Sequence, residues 1–166
     1  HVLSRRQRQM CIRDSAPTLL AQDTPATGQR VFSADTSKAM RRLLRLVVKS
    51  GTGRNADARG FLVGGKTGTA EKSGVGGYRR KALLSSFVAA FPLNAPKFVI
   101  LVMVDEPKGN ERSHGYATGG WVAAPAVKRI VARMAPLYGI LPIDENAPEI
   151  RRDLEMKLPT PKGGNR

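Results

Sequence analysis

The chain has 166 residues, enough for one domain with a core, and its 41% hydrophobic and 25% charged residues are ordinary for a globular protein. One cysteine (Cys11) and two histidines (His1 and His114) exclude an internal disulfide and a zinc cluster of ordinary ligand spacing, so neither a metal nor another cofactor is expected. The net charge of +15 is concentrated between residues 30 and 81, where thirteen Lys/Arg meet three Asp/Glu, a field that favours anionic partners.

Residues 1–15, HVLSRRQRQMCIRDS, have no helical or strand period and do not match the rest of the chain; they read as a non-native leader left by cloning or sequence assembly. Residues 16–29, with two prolines and small polar residues, read as linker. No secretory signal opens the chain, and no run approaches the roughly 18–20 apolar residues of a membrane span, so any export element is expected elsewhere.

From Ser33 to Ser50 the spacing predicts an amphipathic helix. Ser33 or Asp35 can cap its start and Gly51 can end it in a left-handed conformation. Met40, Leu43, Leu44 and Val47 form one apolar stripe expected to cover a core. Lys38, Arg41, Arg42, Arg45 and Lys49 lie mostly away from it, as an exposed basic face. GTGRNADARG (51–60) reads as a polar turn, FLVGGKTGTAE (61–71) as a glycine-interrupted strand and KSGVGGYRRKA (72–82) as a mobile basic loop. Residues 83–91 and 97–106 predict two further strands joined by PLNAP. The run Phe98–Val104 lacks alternation, which predicts a strand covered on both faces. After a glycine-rich loop, the last helix is expected to begin near Ala123 with Pro125 in its first turn and a stripe of Val127, Ile130, Val131 and Met134. Residues 142–166, with four prolines and many charges, predict an extended or disordered tail.

The stretch GFLVGGKTGTAEK (60–72) fits two patterns. Gly60, Gly65, Lys66 and Thr67 match the spacing of a phosphate-binding P-loop. That motif needs a buried strand before its first glycine and a helix after its lysine; NADAR is too polar for the first and GTAEKSGVGG too rich in glycine for the second. Lys66, Thr67 and Gly68 also spell K-T-G, a motif of serine enzymes that interact with penicillin, and it wants a strand at the edge of a site. A strand there sets Lys66 and Gly68 on one face and Thr67 and Thr69 on the other. Gly68 would leave room for a substrate backbone.

The motifs GTGRNA, GGKTGTAEK, SSFVAAFP, FVILVMVDEPKG and YATGGWVAAPAVKRI resemble, in order and spacing, the end of the transpeptidase domain of class B penicillin-binding proteins, with the septal cell-division peptidoglycan transpeptidases as the nearest likeness. The resemblance covers roughly residues 30–141. It implies an α+β fold, the C-terminal fragment of the penicillin-binding/serine β-lactamase-like transpeptidase fold, with three antiparallel strands and flanking helices. It further implies that strand 97–106 normally pairs with an N-terminal strand of the same domain, so that here FVILVMV shows a bare apolar edge and the chain self-associates.

In that family a serine of S-x-x-K attacks the D-Ala-D-Ala end of a stem peptide, releases D-Ala and passes the acyl group to an amine of a neighbouring strand. β-Lactams trap the same serine. The resemblance assigns Lys66 to the electrostatic and proton-transfer network around the nucleophile. It assigns the hydroxyls of Thr67 and Thr69 to the donor's terminal carboxylate, and the backbone N–H of Thr69 to the oxyanion hole. It also implies a periplasmic location on the inner membrane, with stem peptides, β-lactams and cell-division proteins as partners and no nucleic acid. No lysine is preceded at three residues by serine (the nearest pattern is Thr69-x-x-Lys72) and no S-x-N occurs, so this chain alone is expected to be inactive. Ser113-His114 reads as a solvated loop pair. The other readings are a basic nucleic-acid-binding module and, within the enzymes, a D,D-carboxypeptidase or β-lactamase relative.

Overall fold

In a computed structural model, residues 30–74 and 77–156 are described. The leader, the linker and residues 157–166 of the tail lie outside them. Helix α1 (Ala34–Ser50) is followed by strands β1 (Gly64–Gly74), β2 (Gly77–Phe91) and β3 (Phe98–Asp105), then helices α2 (Gly119–Leu137) and α3 (Pro148–Leu154). The strands form one antiparallel sheet in the order β1-β2-β3, with flanking helices. The α+β reading and its three strands therefore stand.

The residues forecast as a loop after Glu71 are mostly sheet. Both strands continue to Gly74 and from Gly77, with one register shift: Glu71 pairs with Leu83, but Lys72 pairs with Arg79. Glycine content suggested a loop, but the ladder simply absorbs extra residues at a bulge. The Lys72 ammonium closes this end, donating to Asp105 at 2.9 Å and Glu106 at 3.1 Å across the sheet. These two hydrogen bonds raise the Lys72 pKa above its usual value.

One face of the sheet carries Phe87, Ala89 and Phe91 beside Phe98, Ile100 and Val102, and packs on Ala123, Ala124, Val127, Val131 and Ala135 of α2. The opposite face of β3 is open: Val99, Leu101 and Met103 are 75, 59 and 54% exposed. The expectation of a strand covered on both faces fails, because burial alternates strictly along β3 although its sequence does not.

Helix α1 starts where the sequence placed it. The Ser33 hydroxyl accepts the Thr36 N–H at 3.1 Å. Its buried side is not the forecast stripe: Met40 and Leu43 are exposed, while Val48 and Arg45 are buried. Arg45, only 4% exposed, donates to Asp57 (2.9 Å), to the Val63 carbonyl (2.6 Å) and to Glu145 (2.8 Å). A guanidinium has five donors in a planar fork, enough to satisfy two carboxylates and a carbonyl when taken from water. Gly51 ends the helix in an extended, not a left-handed, conformation (φ −107°, ψ −157°). Glycine is needed there because a Cβ would stand 2.8 Å from the Val47 carbonyl oxygen.

The basic face of α1 receives the C-terminal segment, which overturns the extended-tail reading for its described part. Arg42 donates to the carbonyls of Arg152 and Asp153, Lys38 pairs with Asp153, and Lys49 meets Glu145 at 2.7 Å. Cations at the carbonyl end of α3 suit the helix dipole. Leu154 is buried with Leu62 and Leu93 in a second, smaller core. Prolines signalled disorder, but Pro148 sits in the first turn of α3, where its missing N–H costs nothing.

Candidate active site

Strand β1 is an edge of the sheet and presents Lys66–Thr69. Register places Lys66 beside Val88 and Gly68 beside Ser86 on one face, and Thr67 beside Phe87 and Thr69 beside Ser85 on the other. The exposed Lys66 ammonium folds over its neighbour, donating to the Thr67 carbonyl at 2.8 Å and the Thr67 hydroxyl at 3.2 Å. The Thr67 hydroxyl also lies 3.0 Å from that of Thr52. The Thr69 hydroxyl accepts the Gly119 N–H at 3.1 Å, so strand β1 caps helix α2.

Thr67 thus accepts from Lys66 and Thr69 from Gly119, while the bond between the Thr52 and Thr67 hydroxyls can run in either direction. A threonine oxygen that accepts keeps its own proton to give, and a row of such protons suits an anion such as a carboxylate. The first turn of α2 adds its positive dipole end beside Thr69.

Helix α2 begins four residues earlier than forecast, at Gly119, and Pro125 falls beyond the first turn. Two glycines read as loop, yet they are what lets the helix touch the sheet. A Cβ on Gly119 would lie 2.1 Å from the Ser86 carbonyl oxygen and 2.7 Å from that of Gly68, and one on Gly120 would lie 2.3 Å from the Thr52 carbonyl oxygen. The Gly120 carbonyl in turn accepts the Asn55 side-chain amide at 2.9 Å. The segment 51–60, read only as a polar turn, is a short 3₁₀ turn at Arg54–Ala56 that brings Thr52 to the site. Thr52, Asn55 and Gly119 were missed as site residues. The G-T-G of residues 51–53 was the available signal, but nothing local says that Thr52 and Thr67 meet.

The space beside Gly68 belongs to Ser86, whose Oγ would stand 2.5 Å from an added Cβ. This glycine therefore makes room at least for its cross-strand neighbour. Ser113 is buried, not solvated. It shares a capping box with Asn110, while His114 packs edge-on against Trp121. Among the described residues no group of His, Cys, Asp and Glu could hold a metal ion, and no helix is long and apolar enough to cross a membrane.

The sequence profile of the penicillin binding protein transpeptidase domain matches residues 7–132. The probable peptidoglycan D,D-transpeptidase FtsI of Caulobacter vibrioides is 44% identical over 122 residues, covering 68% of this chain and 21% of its own length. Stage V sporulation protein D of Bacillus subtilis is 42% identical over 119 residues, covering 72% of this chain and 18% of its own. This chain thus spans about a fifth of the relatives it matches. Among solved structures, the transpeptidase domain of Burkholderia pseudomallei penicillin-binding protein 3 superposes with a TM-score of 0.64 at 38% identity, over 75% of this chain and 37% of that one. Penicillin-binding protein 3 of Mycobacterium tuberculosis, complexed with ampicillin, gives 0.63 at 27% identity, over 78% and 29%. With the profile spanning most of the sequence, the chain belongs to the penicillin-binding protein transpeptidase domain family.

Proposed function

We propose that residues 30–141 form the carboxylate-binding wall and helix support of a peptidoglycan D,D-transpeptidase. The observation that carries this reading is the pair of hydroxyls on β1, Thr67 accepting from Lys66 and Thr69 from Gly119; with Thr52 as donor to Thr67, both keep a proton to give. Thr67 and Thr69 bind the terminal carboxylate of a D-Ala-D-Ala stem peptide, or that of a β-lactam. Thr52 holds the Thr67 hydroxyl in place. Lys66 supplies a cation beside the nucleophile, and the Thr69 N–H is one donor of the oxyanion hole, a group whose loss costs about 10²–10³ in rate.

The nucleophile comes from an S-x-x-K segment, which this chain does not contain. Its serine oxygen attacks the penultimate D-Ala carbonyl and the amine of the terminal D-Ala leaves with a proton. The acceptor amine then displaces the serine, forming the cross-link. The setting is septal wall synthesis on the periplasmic side of the inner membrane, alongside cell-division proteins. The chain alone is inactive for want of the serine.

A chimera tests this: the N-terminal part of the Burkholderia pseudomallei transpeptidase domain, with its S-x-x-K and S-x-N, joined to residues 30–156 of this chain. Fluorescent penicillin is expected to label the chimera covalently and leave the chain alone unlabelled. Lys66→Ala and Thr69→Val are expected to slow labelling at least tenfold. A folded chimera that takes no label would sink the proposal. Salt-dependent DNA binding by an unlabelled chimera would favour the basic-module reading instead.

A further inference from the structure

The sheet face that packs on α2 is apolar at Phe87, Ala89 and Phe91, yet Ser85 stands on the same face of β2 with none of its surface exposed. A hydroxyl taken wholly from water costs free energy unless it is bonded. Ser85 gives its proton to the Ala117 carbonyl, just ahead of the start of α2 at Gly119. Its cross-strand partner on β1 is Thr69, whose hydroxyl accepts the Gly119 N–H at 3.1 Å. Two facing hydroxyls therefore grip the chain on either side of Thr118, one giving to a carbonyl and the other taking an N–H. Thr118 occupies the N-cap position, but its own side chain makes no cap hydrogen bond, so the sheet does the capping.

We propose that Ser85 is a positioning residue for Thr69, acting through the segment Ala117–Gly119. Gly119 is wedged against the sheet, where an added Cβ would lie 2.1 Å from the Ser86 carbonyl oxygen and 2.7 Å from that of Gly68. The segment has no room to move toward the strands. Movement along the seam between β1 and β2 remains, and Ser85 opposes it at Ala117. With Ala117 held, the Gly119 N–H stays on one lone pair of Thr69 and the Thr69 proton is left for a ligand. With Ala117 released, that N–H drifts and the Thr69 hydroxyl turns freely. The role in binding rests on the reading of Thr69 as a carboxylate-binding group; the clamp itself rests only on the two hydrogen bonds.

Two measurements test this. In the full 166-residue chain, amide hydrogen exchange followed by NMR reads the clamp. Ser85→Thr and Ser85→Val have the same shape and differ in the hydroxyl alone. Relative to Ser85→Thr, Ser85→Val is expected to speed exchange at Gly119 by roughly tenfold and to leave Val131, deep in α2, unchanged. In the chimera described above, fluorescent penicillin is titrated against the rate of labelling. Ser85→Val is expected to raise the concentration for half-maximal rate by roughly tenfold over Ser85→Thr. A merely structural role would lower the amount of protein labelled without moving that concentration. On a Thr69→Val background the same exchange of residues is expected to add nothing, because its effect passes through the Thr69 hydroxyl.

Equal exchange at Gly119 in the two variants would overturn the proposal. So would a labelled chimera whose half-maximal concentration ignores Ser85→Val, or an undiminished effect on top of Thr69→Val; either leaves the reading of Thr69 intact. A wild-type chimera that takes no label would overturn that reading, and the role of Ser85 in binding with it.

Discussion

A threonine hydroxyl has one proton to give and two lone pairs to receive, so its partners decide what it can offer a ligand. At Thr69 one lone pair is taken by the Gly119 N–H, and this bond also ties helix α2 to strand β1. Thr69→Val keeps the shape but leaves that buried N–H without an acceptor, at a cost of about 1–3 kcal/mol. Thr69→Ser should recover most of the loss. Urea denaturation of the two variants checks this, and equal stability of both would show that the cap is not what matters. The placement of Lys66 on one face of a strand and Thr67 and Thr69 on the other was readable because a strand repeats every two residues. Thr52 was not, since its contact with Thr67 joins segments fifteen residues apart through a turn whose path no periodicity describes.

The buried guanidinium of Arg45 makes a sharper residue-scale case. Asp57 and Glu145 both pair with it, and although Lys49 and the Gly60 N–H remain for them, the Val63 carbonyl loses this donor and the buried set is broken, typically at about 3–5 kcal/mol. Arg45→Met is expected to fall in that range by thermal or urea melting. The pH dependence comes from Glu145. Burial pushes its pKa up, but hydrogen bonds from Lys49 and the Gly60 N–H and the charges of Arg45 and Lys49 outweigh burial, and the net shift is downward. A carboxylate with a lowered folded pKa contributes stability above its unfolded value of 4.5, and that contribution disappears as pH falls through the folded value. Stability measured from pH 6 downward should thus fall below about pH 4.5 in the wild type. Glu145→Gln should show a shallower fall. Identical pH profiles would remove Glu145 from the account.

At the scale of elements, helix α1 was legible in position and length but not in orientation. Hydrophobic periodicity assumes that the apolar stripe faces inward; here a cation with three hydrogen bonds takes an inward place, and Met40 and Leu43 face out. The consequence is measurable. Met40→Gln and Leu43→Gln should change stability by no more than about 0.5 kcal/mol, while Val48→Ala should cost about 2 kcal/mol. The reverse ranking would restore the stripe. Strand β3 shows the same limit, because an apolar run cannot say which of its faces is covered. The start of α2 was misplaced for another reason. Gly119 and Gly120 have low helix propensity, but close contact with β1 and β2 demands them, and tertiary packing outweighs the roughly 1 kcal/mol each costs.

At the scale of the whole molecule, the two helix-strand contacts and the C-terminal segment act on one strand from opposite ends. Helix α2 meets β1 at Gly68 and Thr69. Arg45, held by Glu145, grips the Val63 carbonyl just before β1 begins. Ending the chain at Leu141 removes Glu145, Asp153 and Leu154 together. That shorter chain is expected to lose several degrees or to stay unfolded, which circular dichroism on heating would show.

Segment 142–147 contains no regular secondary structure yet carries Glu145, whose carboxylate also receives the Gly60 N–H at 2.7 Å. A protease working on this stretch must first pull that carboxylate off Arg45, and with it the hold on the Val63 carbonyl. The rate of nicking at 142–147 therefore reads out the hold on the Val63 carbonyl on a gel, and it is expected to rise when Arg45 is replaced by Met.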